Sequence, residues 1–197
     1  MNVVILDTGC CNLLSIKLAI IKLGYNPIIT HNTEIILHAD KLLIPGVGSA
    51  SSIMNFLHKK NIVEVIKNLT CPTLGICLGM QVLSSYSDES GGMNMLSVLD
   101  EHVSLLSTKN LPLPHIGWNQ VLLDTDHILF NGIRSGAWFY FLHSYSFSIN
   151  QYTIGKSCYD KYFFSSVIQK NNFFGVQFHP EKSGLVGSRL LFNFLEM

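Results

Sequence analysis

The sequence predicts an α/β fold of three layers, built on an open mixed, mostly parallel sheet with antiparallel strands added in its second half. In the first half, short apolar runs without polar alternation are followed by helical patterns, as is typical of parallel strands covered on both faces. In the second half, strand patterns are separated mostly by turns, which favours antiparallel neighbours. No linker, repeat or low-complexity stretch divides the halves, so we expect one domain over residues 1–197.

The first half alternates strands with helices. A helical pattern of apolar residues begins after Asn12, which can cap it, and ends at Gly24, which can stop it. The predicted strands are Val3–Leu6, Pro27–Thr30, Leu42–Ile44 and Thr73–Ile76, and the other predicted helices are Ser51–Leu57, Ile62–Leu69 and Leu78–Ser85.

The second half is predicted to be rich in strands and to close with a helix from about Gly187 to Leu195. Its predicted strands are Asn119–Leu123, Ala137–Leu142, Tyr152–Cys158, Phe163–Gln169 and Phe173–Phe178.

Composition and charge exclude several classes of protein. Thirteen basic residues balance thirteen acidic ones, and no basic cluster suggests a nucleic-acid or anionic-membrane surface. The start, Met1–Asp7, has no basic leader and meets a carboxylate early, which favours a buried strand over a signal peptide. No apolar run approaches the roughly 18 residues that span a bilayer. We expect a cytoplasmic protein that binds neither nucleic acid nor membrane.

The five cysteines, at positions 10, 11, 71, 77 and 158, form no Cys-x-x-Cys pair. A zinc site or a disulfide framework is therefore not expected, and neither a metal nor a cofactor is predicted. Most of these thiols are expected to be inert core groups.

Cys77 is the exception, because Gly75-Ile76-Cys77-Leu78-Gly79 follows a predicted strand and opens a predicted helix. This strand–turn–helix arrangement is that of a nucleophile elbow, with cysteine in place of serine. Glycines on both sides let the tight turn close, and the helix dipole favours the thiolate over the thiol. The alternative is a buried cysteine between two glycines.

His179 is the best candidate for an acid–base partner. It ends the apolar run Phe173–Phe178, and strand ends are where open α/β sheets place their sites. Pro180 blocks continuation of the strand, and Glu181 can turn back to orient the imidazole. In isolation His179 could be a surface histidine in a turn. Two others, His115 and His143, lie in apolar stretches and could be core or interface residues.

Pro45-Gly46-Val47-Gly48 follows a buried strand and precedes a helix. Glycines here free backbone N–H groups to face a ligand, so the segment is a candidate oxyanion or anion site. A simple strand-to-helix turn is an equally good interpretation of this segment alone.

At these motifs the sequence resembles the class I, triad-type glutamine amidotransferases, and among them the glutaminase subunits of imidazole glycerol phosphate synthases of histidine biosynthesis. The resemblance covers essentially the whole chain and implies the flavodoxin-like fold of that family. It is carried by Asp7-Thr8-Gly9, the segments at 45–48 and 75–81, Leu113-Pro114-His115-Ile116-Gly117-Trp118-Asn119, Tyr140-Phe141-Leu142-His143-Ser144-Tyr145 and Gly175-Val176-Gln177-Phe178-His179-Pro180-Glu181-Lys182-Ser183.

The resemblance implies a role for each matching residue. Cys77 would be the nucleophile that forms a γ-glutamyl thioester, His179 the acid–base group and Glu181 its orienting partner. Backbone N–H groups of Leu78 and of Val47 or Gly48 would form the oxyanion hole. Glutamine would be bound by Gly46, Gln81, Glu89, Ser144 and Tyr145. Gln81 lies four residues after Cys77, which places both on one side of a helix.

The chain has no room for a site that consumes the ammonia, since a (β/α)8 barrel alone needs about 250 residues. The resemblance implies such a barrel as the partner: a cyclase subunit, bound as a heterodimer. It would convert a phosphoribulosyl-formimino aminoimidazole carboxamide ribonucleotide to imidazole glycerol phosphate and aminoimidazole carboxamide ribonucleotide. Residues at family positions facing that partner are Asn12, Trp118, Asn119, Tyr140 and Lys182, although Trp118 or Tyr140 could equally be core residues.

Three alternatives remain at this stage. A sister glutaminase of a chorismate or nucleotide pathway would share the triad but should lack the Pro-His-Ile-Gly-Trp-Asn segment. A cysteine peptidase or chaperone-like hydrolase of related fold would keep the elbow without the combination of Gln81 and His-Pro-Glu. A non-catalytic regulatory subunit is disfavoured because all three triad positions are filled.

Overall fold

The computed structural model describes residues 1–9, 13–123 and 126–197. The strands of this part are β1 (Val3–Leu6), β2 (Ile28–Thr30), β3 (Lys41–Gly46), β4 (Thr73–Cys77), β5 (Tyr86–Ser87), β6 (Met93–Asn94), β7 (His102–Leu105), β8 (His115–Leu123), β9 (Ala137–His143), β10 (Tyr145–Phe147), β11 (Thr153–Tyr159), β12 (Tyr162–Lys170) and β13 (Phe173–Val176). The α-helices are α1 (Leu13–Lys22), α2 (Thr33–Leu37), α3 (Ala50–Lys59), α4 (Val63–Lys67), α5 (Leu78–Gln81) and α6 (Gly184–Leu195).

The main sheet of the described chain has the order β2-β1-β3-β4-β13-β12-β11-β8-β9. Its first five strands are parallel, in the order typical of flavodoxin-like folds. The remaining strands are joined antiparallel. The mixed α/β sheet with antiparallel additions is therefore confirmed. β4, which ends at Cys77, lies between β3 and β13.

Two apolar cores cover the two faces of this sheet. Along β1, Val3 and Ile5 belong to one core, while Val4 and Leu6 belong to the other. The helices divide in the same way, with α1 and α6 in the first core and α2, α3 and α4 in the second. This confirms the three-layer arrangement.

The end of α1 agrees with the helix stop that the sequence predicts at Gly24. Gly24 follows α1 with a φ of +93°, and its N–H donates to the Ile21 carbonyl at 2.9 Å. Such a left-handed glycine is a common helix stop. Asn12, the predicted cap, lies outside the described residues.

Three features were not predicted. The helix after Cys77 is a single turn, α5, rather than the predicted Leu78–Ser85, because the chain turns away to pair β5 with its neighbours. A second sheet has the order β10-β7-β5-β6. The third feature is the short helix α2, which is capped by Asn32, whose side-chain oxygen accepts from the N–H groups of Glu34 and Ile35.

No helix in the described part of the chain is both long and apolar enough to cross a membrane.

The turn at Cys77 depends on glycines that pack backbone against backbone. A Cβ atom at Gly79 would overlap the Ile44 carbonyl oxygen, and one at Gly75 would overlap the Gly79 carbonyl. Neither obstacle is a flexible side chain. The sequence therefore needs glycine at both positions to bring β3 and β4 beside the elbow.

We expect Gly79→Ala to lower the free energy of unfolding by about 3 kcal/mol or more, because the strands must separate to admit a methyl group. Urea unfolding followed by circular dichroism measures this. Gly155→Ala is the matched control, since its Cβ would meet only side chains, those of Val167 at 3.1 Å and Val121 at 3.4 Å. Equal losses in the two variants would contradict this account of the elbow.

Candidate active site

Cys77 occupies a strained turn at the carboxyl end of the central strand β4. Its φ is +54° and its ψ is −112°, a conformation that costs a non-glycine residue about 1–3 kcal/mol. Its side chain is mostly buried, and its sulfur lies 3.5 Å from the Leu142 carbonyl oxygen. The predicted nucleophile elbow is therefore present in the fold.

His179 and Glu181 form a buried pair beside this turn. The His179 Nδ1 atom lies 2.9 Å from Glu181 Oε1, and the two side chains are only 3% and 5% exposed. A short 3-10 helix, Pro180–Lys182, turns the carboxylate back onto the ring. The predicted orienting contact is thus formed, with Nδ1 as its donor.

The other ring nitrogen of His179 is left free for chemistry. Its Nε2 atom is buried and has no hydrogen-bond partner among the described residues, and the same holds for Glu181 Oε2. Burial by itself would lower the pKa of His179, but the Cys77 sulfur and the Glu181 carboxylate raise this pKa to about 10. The protonated imidazole of His179 is therefore stabilised beside the Cys77 sulfur.

This raised pKa gives a pH-dependent contribution to folding stability. Since His179 gains protons on folding, its contribution is fully present below the ordinary value of 6.5 and is lost as the pH rises toward about 10. We expect Glu181→Gln to destabilise the protein most near pH 6 and progressively less toward pH 10. Urea unfolding of both proteins across that range measures the difference. A difference that stays constant with pH would show that the carboxylate does not hold the proton on His179.

Cys77 and His179 line one pocket of about 230 Å³. At about 30 Å³ per water molecule, this is room for about eight waters, the size of a small metabolite. The pocket also brings together most of the predicted glutamine and oxyanion residues, namely Val47, Gly48, Leu78, Gln81, Glu89, Ser144 and Tyr145. Gly46 lies behind its wall, packed against the backbone of Leu78 and Gly79. A larger surface hollow of about 870 Å³, around Ile128 and Arg134, contains none of the predicted residues.

The candidate oxyanion donors lie on both sides of the sulfur. Leu78 is the first residue of α5, where a backbone N–H has no acceptor within the helix. Gly46 pairs with Cys77 in the sheet, which brings Val47 and Gly48 to the same edge. Gly48 has a φ of +99°, and a Cβ there would meet nothing within 4 Å.

Gln177 is a polar contact of Cys77 that the sequence did not single out. Its amide Nε2 lies 3.7 Å from the Cys77 sulfur, and its Oε1 accepts from Gln81 Nε2 at 3.1 Å. The same Gln81 nitrogen donates to the Tyr145 carbonyl at 2.7 Å. The available signal was a polar residue inside the otherwise apolar strand leading to His179.

Besides lining the pocket, Glu89 forms a hydrogen bond with the start of α3. Its Oε2 atom accepts from the backbone N–H of Ala50 at 2.7 Å, at the start of α3. Because α3 follows the segment that contains Val47 and Gly48, this carboxylate connects the pocket with the candidate oxyanion segment.

Three of the predicted interface residues cluster next to His179 and Glu181. Trp118 lies opposite Tyr140 in the β8–β9 pair, and the Lys182 ammonium lies 5.8 Å from the centre of the Tyr140 ring. Trp118 is 53% exposed, so it is not a core residue. The Tyr140 carbonyl accepts from the His179 backbone N–H at 2.8 Å.

The other two predicted interface residues, Asn119 and Asn12, are not seen on this exposed surface. The Asn119 side chain turns inward, where its Nδ2 donates to the Cys158 carbonyl at 2.9 Å. Asn12 lies outside the described residues.

Two comparisons of the sequence place it among known proteins. The model of the family "Glutamine amidotransferase class-I" matches residues 4–197. The chain belongs to the class I glutamine amidotransferases. Subunits HisH of imidazole glycerol phosphate synthase are similar to it: that of Pectobacterium atrosepticum is 51% identical over 197 residues, and that of Photorhabdus laumondii is 54% identical over 202 residues. Each alignment covers 100% of both chains.

Solved structures agree on the fold of this class I amidotransferase. A glutamine amidotransferase from Thermotoga maritima superposes with a TM-score of 0.65, covering 100% of this chain and 83% of that one. At 18% identity, this likeness shows the fold alone.

No cluster of three or more metal-binding side chains occurs in residues 1–9, 13–123 and 126–197. The described cysteines, Cys71, Cys77 and Cys158, are all free.

Proposed function

We propose that this chain is the glutaminase subunit of an imidazole glycerol phosphate synthase, acting as one domain over residues 1–197, with Cys77, His179 and Glu181 as its catalytic triad. One observation carries the chemistry: Cys77 and His179 line the same small pocket, with Glu181 behind the imidazole ring and with no hydrogen-bond partner for His179 Nε2 among the described residues. The choice of synthase rests on full-length relatives that are about half identical and bear that name.

In this mechanism the Cys77 thiolate attacks the side-chain amide carbon of glutamine. The carbonyl oxygen becomes an oxyanion, which accepts hydrogen bonds from the Leu78 N–H and from Val47 or Gly48. Protonated His179 then donates through Nε2 to the leaving nitrogen, so that ammonia departs and a γ-glutamyl thioester remains.

The second half of the reaction uses the same groups in reverse. Neutral His179 takes a proton from water, and the resulting hydroxide attacks the thioester carbon. The carbon–sulfur bond breaks, glutamate leaves, and Cys77 and His179 return to their starting state. Glu181 keeps Nδ1 protonated throughout, so Nε2 is always the nitrogen that exchanges protons.

The pocket offers partners for the rest of glutamine. The Glu89 carboxylate would bind the substrate ammonium, sharing its charge with the Ala50 N–H. The amide of Gln81 and the Ser144–Tyr145 backbone would form the opposite wall. Gly46 would act through the wall, by letting the backbone of β3 approach Leu78 and Gly79.

The ammonia would be consumed by a cyclase partner, a (β/α)8 barrel that forms a heterodimer with this chain. The exposed surface formed by Trp118, Tyr140 and Lys182 supports this docking face, since aromatic residues are enriched at interfaces and this one borders the triad. Asn12 and Asn119 are assigned to this face from the sequence resemblance alone, since Asn12 lies outside the described residues and the Asn119 side chain is directed toward the Cys158 carbonyl. In the assembled synthase, the nucleotide substrate would yield imidazole glycerol phosphate and aminoimidazole carboxamide ribonucleotide.

The test is to mix this chain with a cyclase subunit of such a synthase and to measure turnover of the nucleotide with glutamine or with ammonia. We expect both nitrogen sources to work in the complex, and glutamine to fail when this chain is omitted. His179→Ala should abolish turnover with glutamine but not with ammonia at alkaline pH. A complex that uses ammonia but never glutamine would refute the proposed function.

A further inference from the structure

Two histidines that the triad does not use are buried next to the glutamine pocket. His115 in β8 and His143 in β9 lie directly opposite each other, and His115 Nδ1 is 3.1 Å from His143 Nε2. They are 3% and 5% exposed, and the His115 ring stacks on Phe141. Burial lowers the pKa of His115 to about 4, and burial reinforced by His115 lowers the pKa of His143 to about 3. Both rings are therefore neutral at pH 7, with one N–H each.

The partners of the pair decide where each proton lies. The His143 Nδ1 atom is 2.9 Å from the Tyr145 carbonyl oxygen, which can only accept, so Nδ1 carries the hydrogen. His143 Nε2 must then accept, and His115 Nδ1 must donate to it. His115 Nε2 is left as an acceptor, and Asn119 Nδ2 lies 3.4 Å away. The same Asn119 nitrogen donates to the Cys158 carbonyl, which fixes the orientation of that amide.

At the His143 end, this series of hydrogen bonds reaches the pocket. The Tyr145 carbonyl accepts from His143 and from Gln81 Nε2, and Gln81 also donates to Gln177, which contacts the Cys77 sulfur. His143, Ser144 and Tyr145 all line the cavity that holds Cys77. The backbone that faces glutamine is thus fixed from behind by an imidazole.

We propose that His143, held by His115, is a positioning residue that orients the Ser144–Tyr145 backbone for glutamine binding. The inference rests on the proposed glutaminase function, because it assigns a task within that site. Unlike His179, His143 does not exchange protons with the substrate; it supplies one fixed N–H donor to the Tyr145 carbonyl. A neutral donor suits this task, since it keeps a second positive charge away from the triad.

Nitrogen-15 NMR of the imidazole rings tests the proton arrangement without any assay of activity. At pH 7 we expect His115 and His143 to be neutral and protonated at Nδ1, and we expect the His143 signals to shift when a glutamine analogue occupies the pocket. Protonation at Nε2, or a charged ring, on either histidine would overturn the proposal.

Kinetics of the chain bound to its cyclase partner tests the consequence. In His143→Gln the amide falls near the former Nε2 and keeps a partner for His115 but loses the donor to Tyr145. In His143→Asn the amide falls near the former Nδ1 and keeps that donor. We expect the KM for glutamine to rise about tenfold in His143→Gln, with a smaller change in kcat, and most of that rise to be recovered in His143→Asn.

The control is His127→Gln, which alters a partly buried histidine that lies between β8 and β9, next to a short 3-10 helix, and is hydrogen-bonded to Gln169. Its KM should match that of the unmodified chain. Melting temperatures identify variants that fold poorly, and in that case the NMR result decides. Equal KM values in the two His143 variants would overturn the proposal. An unmodified complex that does not hydrolyse glutamine would instead refute the proposed function.

Discussion

Replacing Cys77 with alanine is expected to reduce glutamine hydrolysis by about 10⁴-fold or more, because removing a nucleophile that acts with a base costs nearly the whole of covalent catalysis. Cys77 alone among the described cysteines lies in a left-handed turn within reach of a buried histidine. The measurement is steady-state glutamine hydrolysis by the chain together with its cyclase partner. Turnover supported by free ammonia should persist, since only ammonia production is lost.

Alanine replacements of the other four cysteines provide the controls. Cys71 and Cys158 are partly buried and lie outside the pocket. These proteins should keep hydrolysis rates close to the unmodified one. A Cys77→Ala protein that still hydrolyses glutamine near the unmodified rate would exclude the thioester mechanism. Loss of ammonia-dependent turnover in an assembled complex would mean that Cys77 has a further task.

The second large effect expected is activation by the partner, by about 10²–10³-fold, the contribution of one oxyanion donor. The hypothesis is that the free chain holds the Val47–Gly48 peptide away from Cys77, and that partner and nucleotide binding, sensed through contacts such as Asn12 and Lys182, turn it inward. The φ of +99° at Gly48, with open space around it, is consistent with a peptide that can rotate. Hydrolysis is measured for the chain alone, with partner, and with partner plus nucleotide.

Two glycine variants distinguish rotation of the Val47–Gly48 peptide from the general effect of placing alanine at a positive φ. Gly48 and Gly24 have φ values of +99° and +93°, and a Cβ at either would meet nothing within 4 Å. Alanine disfavours both conformations, so Gly48→Ala should raise hydrolysis by the chain alone and narrow the gap to the fully bound state. Gly24→Ala should leave the activation ratio unchanged. An isolated, unmodified chain that already runs at the fully bound rate would show that no switch exists.

The parts of the fold and site that could be predicted are those encoded by neighbours in sequence. The apolar run ending at Cys77, the flanking glycines and the His-Pro-Glu turn each describe a local geometry, and all three are formed. The end of the sheet that carries the candidate site could also be predicted, because open α/β sheets place their sites at the carboxyl ends of the parallel strands.

The parts that could not be predicted depend on register between distant strands. That His115 faces His143 follows from the pairing of β8 with β9, which no local pattern specifies. The contact of Gln177 with Cys77 likewise depends on how β13 lies beside β4. The strands β5 and β6 have two residues each, too few to show any periodicity.

The hydrogen bond between the His179 N–H and the Tyr140 carbonyl connects the edge strand β9 directly to the backbone of His179. On the same residue, the Tyr140 N–H donates to Ser183 Oγ, and that hydroxyl donates to the His179 carbonyl. The ring of Tyr140 points to the proposed partner while its peptide groups clamp the histidine backbone from both sides. A displacement of Tyr140 at the docking face would therefore move the His179 backbone, and with it change the distance between the Cys77 sulfur and the His179 imidazole. Changes to the Tyr140 ring should accordingly alter how fast ammonia is made even in complexes that assemble as tightly as before.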